Sequence, residues 1–295
     1  MEIRTLRYFL TVAREENITK AANFLHISQP SLSVQLQELE KEIGKKLLIR
    51  GKRKITLTDD GILLRKRAEE ILSLVEKTEH ELSDNEEKVT GIISIGSGET
   101  KAINELLQIA KQLNQEYPNI QYNLFNGDAE AVTDQLDKGL LDFGILIEPV
   151  DIKKYERIRL NVTDTWGVLM LSSNPLSKKE CIEFDDLPNL PLITPKRLGL
   201  QQEISSWIKK DFESLNVVAT YNFLFNAILL VQNGFGNAII LNSLVDTKQY
   251  KELCFRPLSP KMEVNFSLVW KKYQVFSKPA EKLLELLNKN IRTND

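Results

Sequence analysis

The sequence predicts an α+β chain of several domains, on three observations. Apolar residues recur at helical spacing before residue 44 and give way to a basic hairpin pattern over 45–57. A second helical pattern with four-three spacing runs from 64 to 82. From 91 onward, strand and helix patterns alternate. A length of 295 residues, 42% hydrophobic and 27% charged, suits two or three folded cores.

The first helix is read from Ile3, Leu6, Phe9, Leu10 and Ala13. Asn17-Ile18-Thr19 supplies a cap for a short second helix containing Ala21, Ala22, Phe24 and Leu25. Ser28 caps a third, with Pro30 in the first turn, where its missing N–H costs nothing. Leu32, Leu36, Leu39 and Ile43 form the buried stripe of that helix. Pro30, Val34, Gln37 and Lys41 point the other way, flanked by Ser31, Ser33 and Glu38. Two helices joined by so short a turn as His26-Ile27 fit a helix-turn-helix. The small, weakly charged outer face suits entry into a DNA major groove, with Gln29 placed to pair with a base and Val34 to touch a thymine methyl. Gly44 stops the helix. Residues 45–57 then read as a hairpin wing whose Arg50, Lys52, Arg53 and Lys54 are aimed at phosphates or a minor groove.

Charge agrees with this division. Residues 1–57 hold eleven Lys and Arg against six Asp and Glu, a balance of +5; the remainder holds 28 against 35, or −7. A basic head on an acidic body points to a polyanion partner for the head alone.

Thr58 with Asp59 and Asp60 opens a long helix. Leu64, Ala68, Ile71, Val75, Thr78 and Leu82 form an a/d seam that calls for a partner helix, the alternative being packing on the wing or on the C-terminal half. Residues 83–88 are polar and read as a hinge. Two linked heads would bind two half-sites at high effective concentration, a physical reason for a homodimer.

In the C-terminal half, strands are expected at 92–95, 120–125, 143–147, 167–171, 192–194, 217–220, 237–241 and 264–270. Helices are expected at 103–113, 131–136, 201–210, 223–232 and 279–290. This order implies parallel sheet with helices on both faces, and ligands in such sheets bind beyond the carboxyl ends of strands. That rule selects Ser97, Gly98, Glu99 and Thr100 opposite Thr194, Pro195, Lys196 and Arg197, with Asn126, Glu148 and Phe225 nearby. Free helix N–H groups, hydroxyls and Lys196 favour a small carboxylate or other anion; Glu99 argues against one.

Several motifs resemble the LysR-type transcriptional regulators. They are Phe9-Leu10-Thr11-Val12-Ala13, the run from Ala21 to Ser33, Leu39-Glu40, Ile43-Gly44, and Leu57-Thr58 with Gly61. Weaker matches follow in order: Ile95-Gly96-Ser97, Tyr117-Pro118, Gly139, Leu141-Asp142-Phe143-Gly144-Ile145 and Gly234-Phe235-Gly236. Val34 stands where many members carry Arg or Thr, and Leu48-Ile49 replaces a Phe-Glu pair of the wing. The resemblance implies a winged helix-turn-helix over 1–58 with Gln29, Pro30, Ser31 and Ser33 near double-stranded DNA. It also implies a linker helix and hinge over 59–88 through which the chain forms a dimer or tetramer. Residues 89–295 would be an effector domain of periplasmic-binding-protein type, with one lobe at about 89–160 and 265–295 and the other at 161–264. A small-molecule effector between the lobes would then alter DNA binding or bending and contact with RNA polymerase.

Other classes fit less well. Only His26 and His80 occur, and there is no G-x-S-x-G, H-E-x-x-H or Walker sequence, so no enzyme, cofactor or metal site is expected; Gly96-Ser97-Gly98 is weak alone. A solute-binding protein would carry a signal peptide rather than a basic head. No apolar run of about 18 residues occurs, so a cytoplasmic protein with no membrane partner is expected. Two cysteines, Cys181 and Cys254, are too few for a disulfide framework but leave thiol oxidation as an alternative signal.

Overall fold

The computed structural model describes residues 1–51, 54–83, 89–196, 200–208 and 211–292. Lys52 and Arg53 of the wing, the hinge residues 84–88 and Arg197 lie outside the described residues. The chain divides into two compact units, Met1–Ser83 and Asp84–Asp295.

In the first unit, α1 (Ile3–Glu15), α2 (Ile18–Phe24) and α3 (Gln29–Ile43) precede the antiparallel hairpin β1 (Leu48–Arg50) and β2 (Ile55–Leu57) and the long helix α4 (Asp59–Ser83). The caps act locally: Asn17 accepts from the Lys20 amide at 3.0 Å and Ser28 from the Ser31 amide at 3.3 Å. Phe9, Val12, Ala21, Ala22, Leu32, Leu36 and Leu39 form the core, closed by Leu47, Leu48 and Ile55 from the hairpin. Two stripe residues are corrected. Ile3 and Ile43 sit at helix ends and are exposed; Gly44, at φ 72°, turns the chain away in the left-handed conformation that glycine adopts without strain.

A carboxylate lies near the end of α3. Glu40 is buried, its Oε1 accepting from the amides of Leu47 at 2.8 Å and Leu48 at 3.2 Å, its Oε2 from Lys46 Nζ at 2.8 Å. Burial alone would raise its pKa, but the hydrogen bonds from Lys46, Leu47 and Leu48 together outweigh that effect and hold the carboxyl below its ordinary value. Glu40 thereby fastens the start of the hairpin to α3.

The Thr58 hydroxyl accepts from the Gly61 amide at 2.9 Å and donates to the Lys46 carbonyl at 2.6 Å. The first turn of α4 passes so close to the hairpin that a Cβ on Gly61 would stand 2.1 Å from the Leu47 carbonyl oxygen. Further along, Ala68 and Leu72 are buried against Leu6 of α1, with Leu64 and Ile71 partly buried beside them. The near half of the expected seam is therefore filled within its own unit, chiefly by α1, with Leu64 also packed against the core that the hairpin closes. Val75 is half-buried and Leu82 is 83% exposed.

The second unit runs β3 (Gly91–Ser97), α5 (Ile103–Glu116), β4 (Ile120–Asn126), α6 (Ala129–Asp137), β5 (Phe143–Ile147) and β6 (Tyr155–Leu171). It continues β7 (Ile182–Glu183), β8 (Leu192–Pro195), α7 (Leu200–Ile208), β9 (Val217–Tyr221), α8 (Leu224–Gln232), β10 (Asn237–Leu241), β11 (Leu253–Ser259), β12 (Glu263–Lys271) and α9 (Lys278–Arg292). Its sheets are mixed, a correction to the parallel expectation. In the first lobe β3 is parallel to β4 and β5, while β12 runs antiparallel to β5 and to the first half of β6. In the second, β8 is parallel to β9 and β10, while the second half of β6 runs antiparallel to β10 and β11. The antiparallel members arise because the chain must cross between lobes and back. β6 makes the first crossing as one continuous 17-residue strand.

Candidate functional site

On the head, the cap at Ser28 and the buried leucines fix which side of α3 faces outward. Gln29, Pro30, Ser31 and Val34 are exposed there, and Ser33 is half-buried. The hairpin joins this face, since Arg50 Nη2 donates to Ser33 Oγ at 3.1 Å. Lys54 instead approaches Glu16 at 3.3 Å, an exposed pair of small energetic weight that a phosphate could replace. Arg14 lies 4.3 Å from the centre of the exposed Phe24 ring on α2.

In the second unit, the carboxyl ends of strands from both lobes enclose a cavity of about 790 Å³. The first lobe contributes Gly98, Glu99 and Thr100 after β3, Asn126 to Ala129 after β4, and Ile145, Leu146, Ile147 and Pro149 at β5. The second contributes Pro195 and Lys196 after β8, Gln202, Glu203 and Ser206 of α7, and Tyr221, Asn222 and Phe223 after β9. Trp166 of β6, Leu241, Leu244 and Phe266 complete the wall. Of the expected residues, Gly98, Glu99, Thr100, Asn126, Pro195 and Lys196 line this space.

Four do not. Ser97 and Thr194 are buried behind the wall, the Ser97 hydroxyl donating to the Gly98 carbonyl at 2.7 Å. Glu148 turns to Arg157 at 3.2 Å and accepts from the Ser267 hydroxyl at 2.7 Å. Phe225 is 64% exposed on the outside of α8, because it lies one residue past the buried Leu224 and so about 100° around the helix. The strand-end rule would have found Tyr221, Asn222 and Phe223 had it been applied between β9 and α8; Trp166 and the residues of α7 carry no such local signal.

Polar groups around the cavity are organised by helix ends. Asp128 caps α6, accepting from the Ala131 amide at 2.8 Å. Thr100 Oγ1 accepts from the Ala102 amide at 3.1 Å. Glu99, from the first lobe, accepts from the Leu224 amide at the start of α8 in the second lobe, at 2.6 Å. The Tyr221 hydroxyl donates to the Ile239 carbonyl at 2.8 Å, and burial, followed by the charge of Glu99, pushes its pKa well above the ordinary phenol value.

Cys181 and Cys254 are free, half-buried thiols. Ile182 pairs with Leu258, which sets Cys181 beside Pro257, three residues along β11 from Cys254. That is roughly 10 Å at the rise of an extended strand, beyond the Cα separation a disulfide tolerates. Burial raises the Cys254 pKa despite Arg256, which opposes thiolate chemistry. Among the described residues, no helix is long and apolar enough to cross a membrane.

Residues 3–62 match the bacterial regulatory helix-turn-helix protein, lysR family, and residues 86–292 match the LysR substrate binding domain. The chain is 27% identical to the HTH-type transcriptional regulator BsdA of Bacillus subtilis (strain 168), over 97% of this chain and 100% of that protein. It is 30% identical to the regulator YtlI of the same organism, over 75% of this chain and 72% of that one. The fold is similar to full-length CbnR in a crystal structure with its target DNA, at a TM-score of 0.75 and 20% identity over 98% of this chain and 99% of that one. Head, long helix and two-lobed unit thus occur here in the order of full-length regulators, and the chain belongs to the LysR family of transcriptional regulators.

Proposed function

We propose that this regulator binds DNA sequence-specifically through α3 and the hairpin, and that a small molecule held between the lobes sets its DNA binding or bending. The observation that carries the reading is the cavity, built from strand ends of both lobes, so that an occupant contacts both and biases their closure. Closure changes the spacing of paired heads, and with it DNA bending and the approach of RNA polymerase. No catalytic role is assigned to the cavity.

The test is a salt series of the purified chain on its own upstream DNA against a scrambled duplex of equal length. Preference for the native duplex that survives physiological salt is expected. Equal affinity with steep salt dependence would reduce the head to a phosphate binder and overturn sequence reading.

Pairing of heads is assigned to the far end of α4, where Val75 and Leu82 remain available. Leu82→Asp is expected to raise the dissociation constant of the oligomer by at least about tenfold, as burial of a leucine contributes roughly 1.5–3 kcal/mol. Sedimentation across a concentration series reads it; an unchanged constant would move the interface off this segment.

A further inference from the structure

We infer that the cavity takes a small amphipathic cation, an ammonium group on an apolar or aromatic body, because Glu99 already fills the position an anionic ligand would occupy. The inference rests on the cleft being the effector site. Anions bind in such clefts at helix N-termini, where amides lack intrahelical partners.

Three helices turn N-terminal residues toward this cavity, and each already has a carboxylate there. In α6 it is Asp128, the cap itself. In α7 it is Glu203, in the first turn and on the cavity wall. In α8 the N-cap residue is Phe223, whose side chain makes no capping bond. The Leu224 amide is satisfied instead by Glu99, reaching across from the other lobe at 2.6 Å.

An incoming carboxylate would displace Glu99 or lie against it. Lys196 is the one cation among the described lining residues, against the three acids Glu99, Asp128 and Glu203 on the same wall. Trp166, Phe223 and Phe266 supply apolar wall, which suits the body of an organic cation through burial. A ligand ammonium next to Glu99 also leaves the Glu99 bond across the cleft in place, so binding and lobe closure reinforce each other.

Calorimetric titration of the full chain with three probes of one aromatic body tests this: 2-phenylethylammonium, 2-phenylethanol and 3-phenylpropanoate. The ammonium probe is expected to bind at least tenfold tighter than the carboxylate. Glu99→Gln, whose amide oxygen can still accept from Leu224, should narrow that gap to less than threefold. Lys196→Gln should widen it and carries the comparison if Glu99→Gln does not fold.

Equal or tighter binding of the carboxylate to the native chain would overturn the inference and leave the cleft as a ligand site. An ammonium preference that Glu99→Gln leaves unchanged would overturn the role given to Glu99. No binding of any probe by any form at 10 mM, chosen as roughly the millimolar limit of weak binding, would count against the cleft itself and the inference with it.

Discussion

Replacing Gln29 and Arg50 together by alanine is expected to weaken binding to the native upstream duplex by on the order of a hundredfold or more at physiological salt. A bidentate side-chain contact to a base contributes roughly 1–3 kcal/mol of discrimination, and a hydrogen bond to a charged group about 1.5–3 kcal/mol. Gln29 opens the exposed face of α3, and Arg50 adjoins that face through Ser33. The single variants should separate the two contributions. Gln29→Ala relaxes sequence preference with the salt slope kept, whereas Arg50→Ala weakens native and scrambled duplexes alike and flattens the slope by about one. Both side chains are exposed, so the helical signal and melting should stay unchanged. An unaffected footprint in the double variant would place the reading surface elsewhere.

The second large effect is expected from Glu40→Ala. It removes the acceptor of two buried amides, Leu47 and Leu48, a loss of roughly 2–4 kcal/mol at about 1–2 for each stranded donor, the lower part of the usual range. Hydrogen exchange across 45–50 reads it locally, which matters in a chain of two compact units where one melting transition is not a single equilibrium. Protection of the hairpin start should fall by about 30- to 1000-fold, the same range expressed as an equilibrium constant. Acid should reproduce part of this. The folded carboxyl titrates below its unfolded value, so its contribution is present above the ordinary carboxylate range and is lost as pH falls through the lowered value. The advantage of the native chain over Glu40→Gln should shrink across that window; a gap independent of pH would leave the charge with no part in fastening the hairpin.

Legibility in the sequence follows the range of the interaction. The caps at Asn17, Ser28 and Thr58 act over three residues and were readable, as were β5 and β10, whose continuous apolar runs are bounded by polar residues or glycine. The first half of β6 gives a weak strand signal: Ile158, Leu160 and Val162 alternate with polar residues, but the charges between them resemble a surface linker. β11 carries Arg256 and Pro257 and gave no strand signal. Glu40 was invisible to periodicity, which counts every carboxylate as surface. Ala68 reads as a partner contact and packs on Leu6 instead, because an a/d stripe records that a face is covered but not by what. In the cleft, six of the ten expected residues that are described lie on the wall, chosen by a rule about strand ends. The bond from Glu99 to Leu224 spans 125 residues, and nothing in local spacing announces it.

The continuous strand β6 limits how the two lobes can move. Its partners change near Asp164, which is paired with Val264 in the first lobe and accepts from the Ser243 amide and hydroxyl in the second. A loose connector would let the lobes separate like a clamshell, whereas a hydrogen-bonded ribbon yields chiefly by winding about its own axis. With the return crossing running alongside it through Glu263 and Thr165, the pair forms a two-rail torsion spring. Were the proposed ligand to close the lobes, it would do so against that spring through a small rotation, so that its binding energy would reach the far ends of the lobes as a change in angle rather than being absorbed in slack.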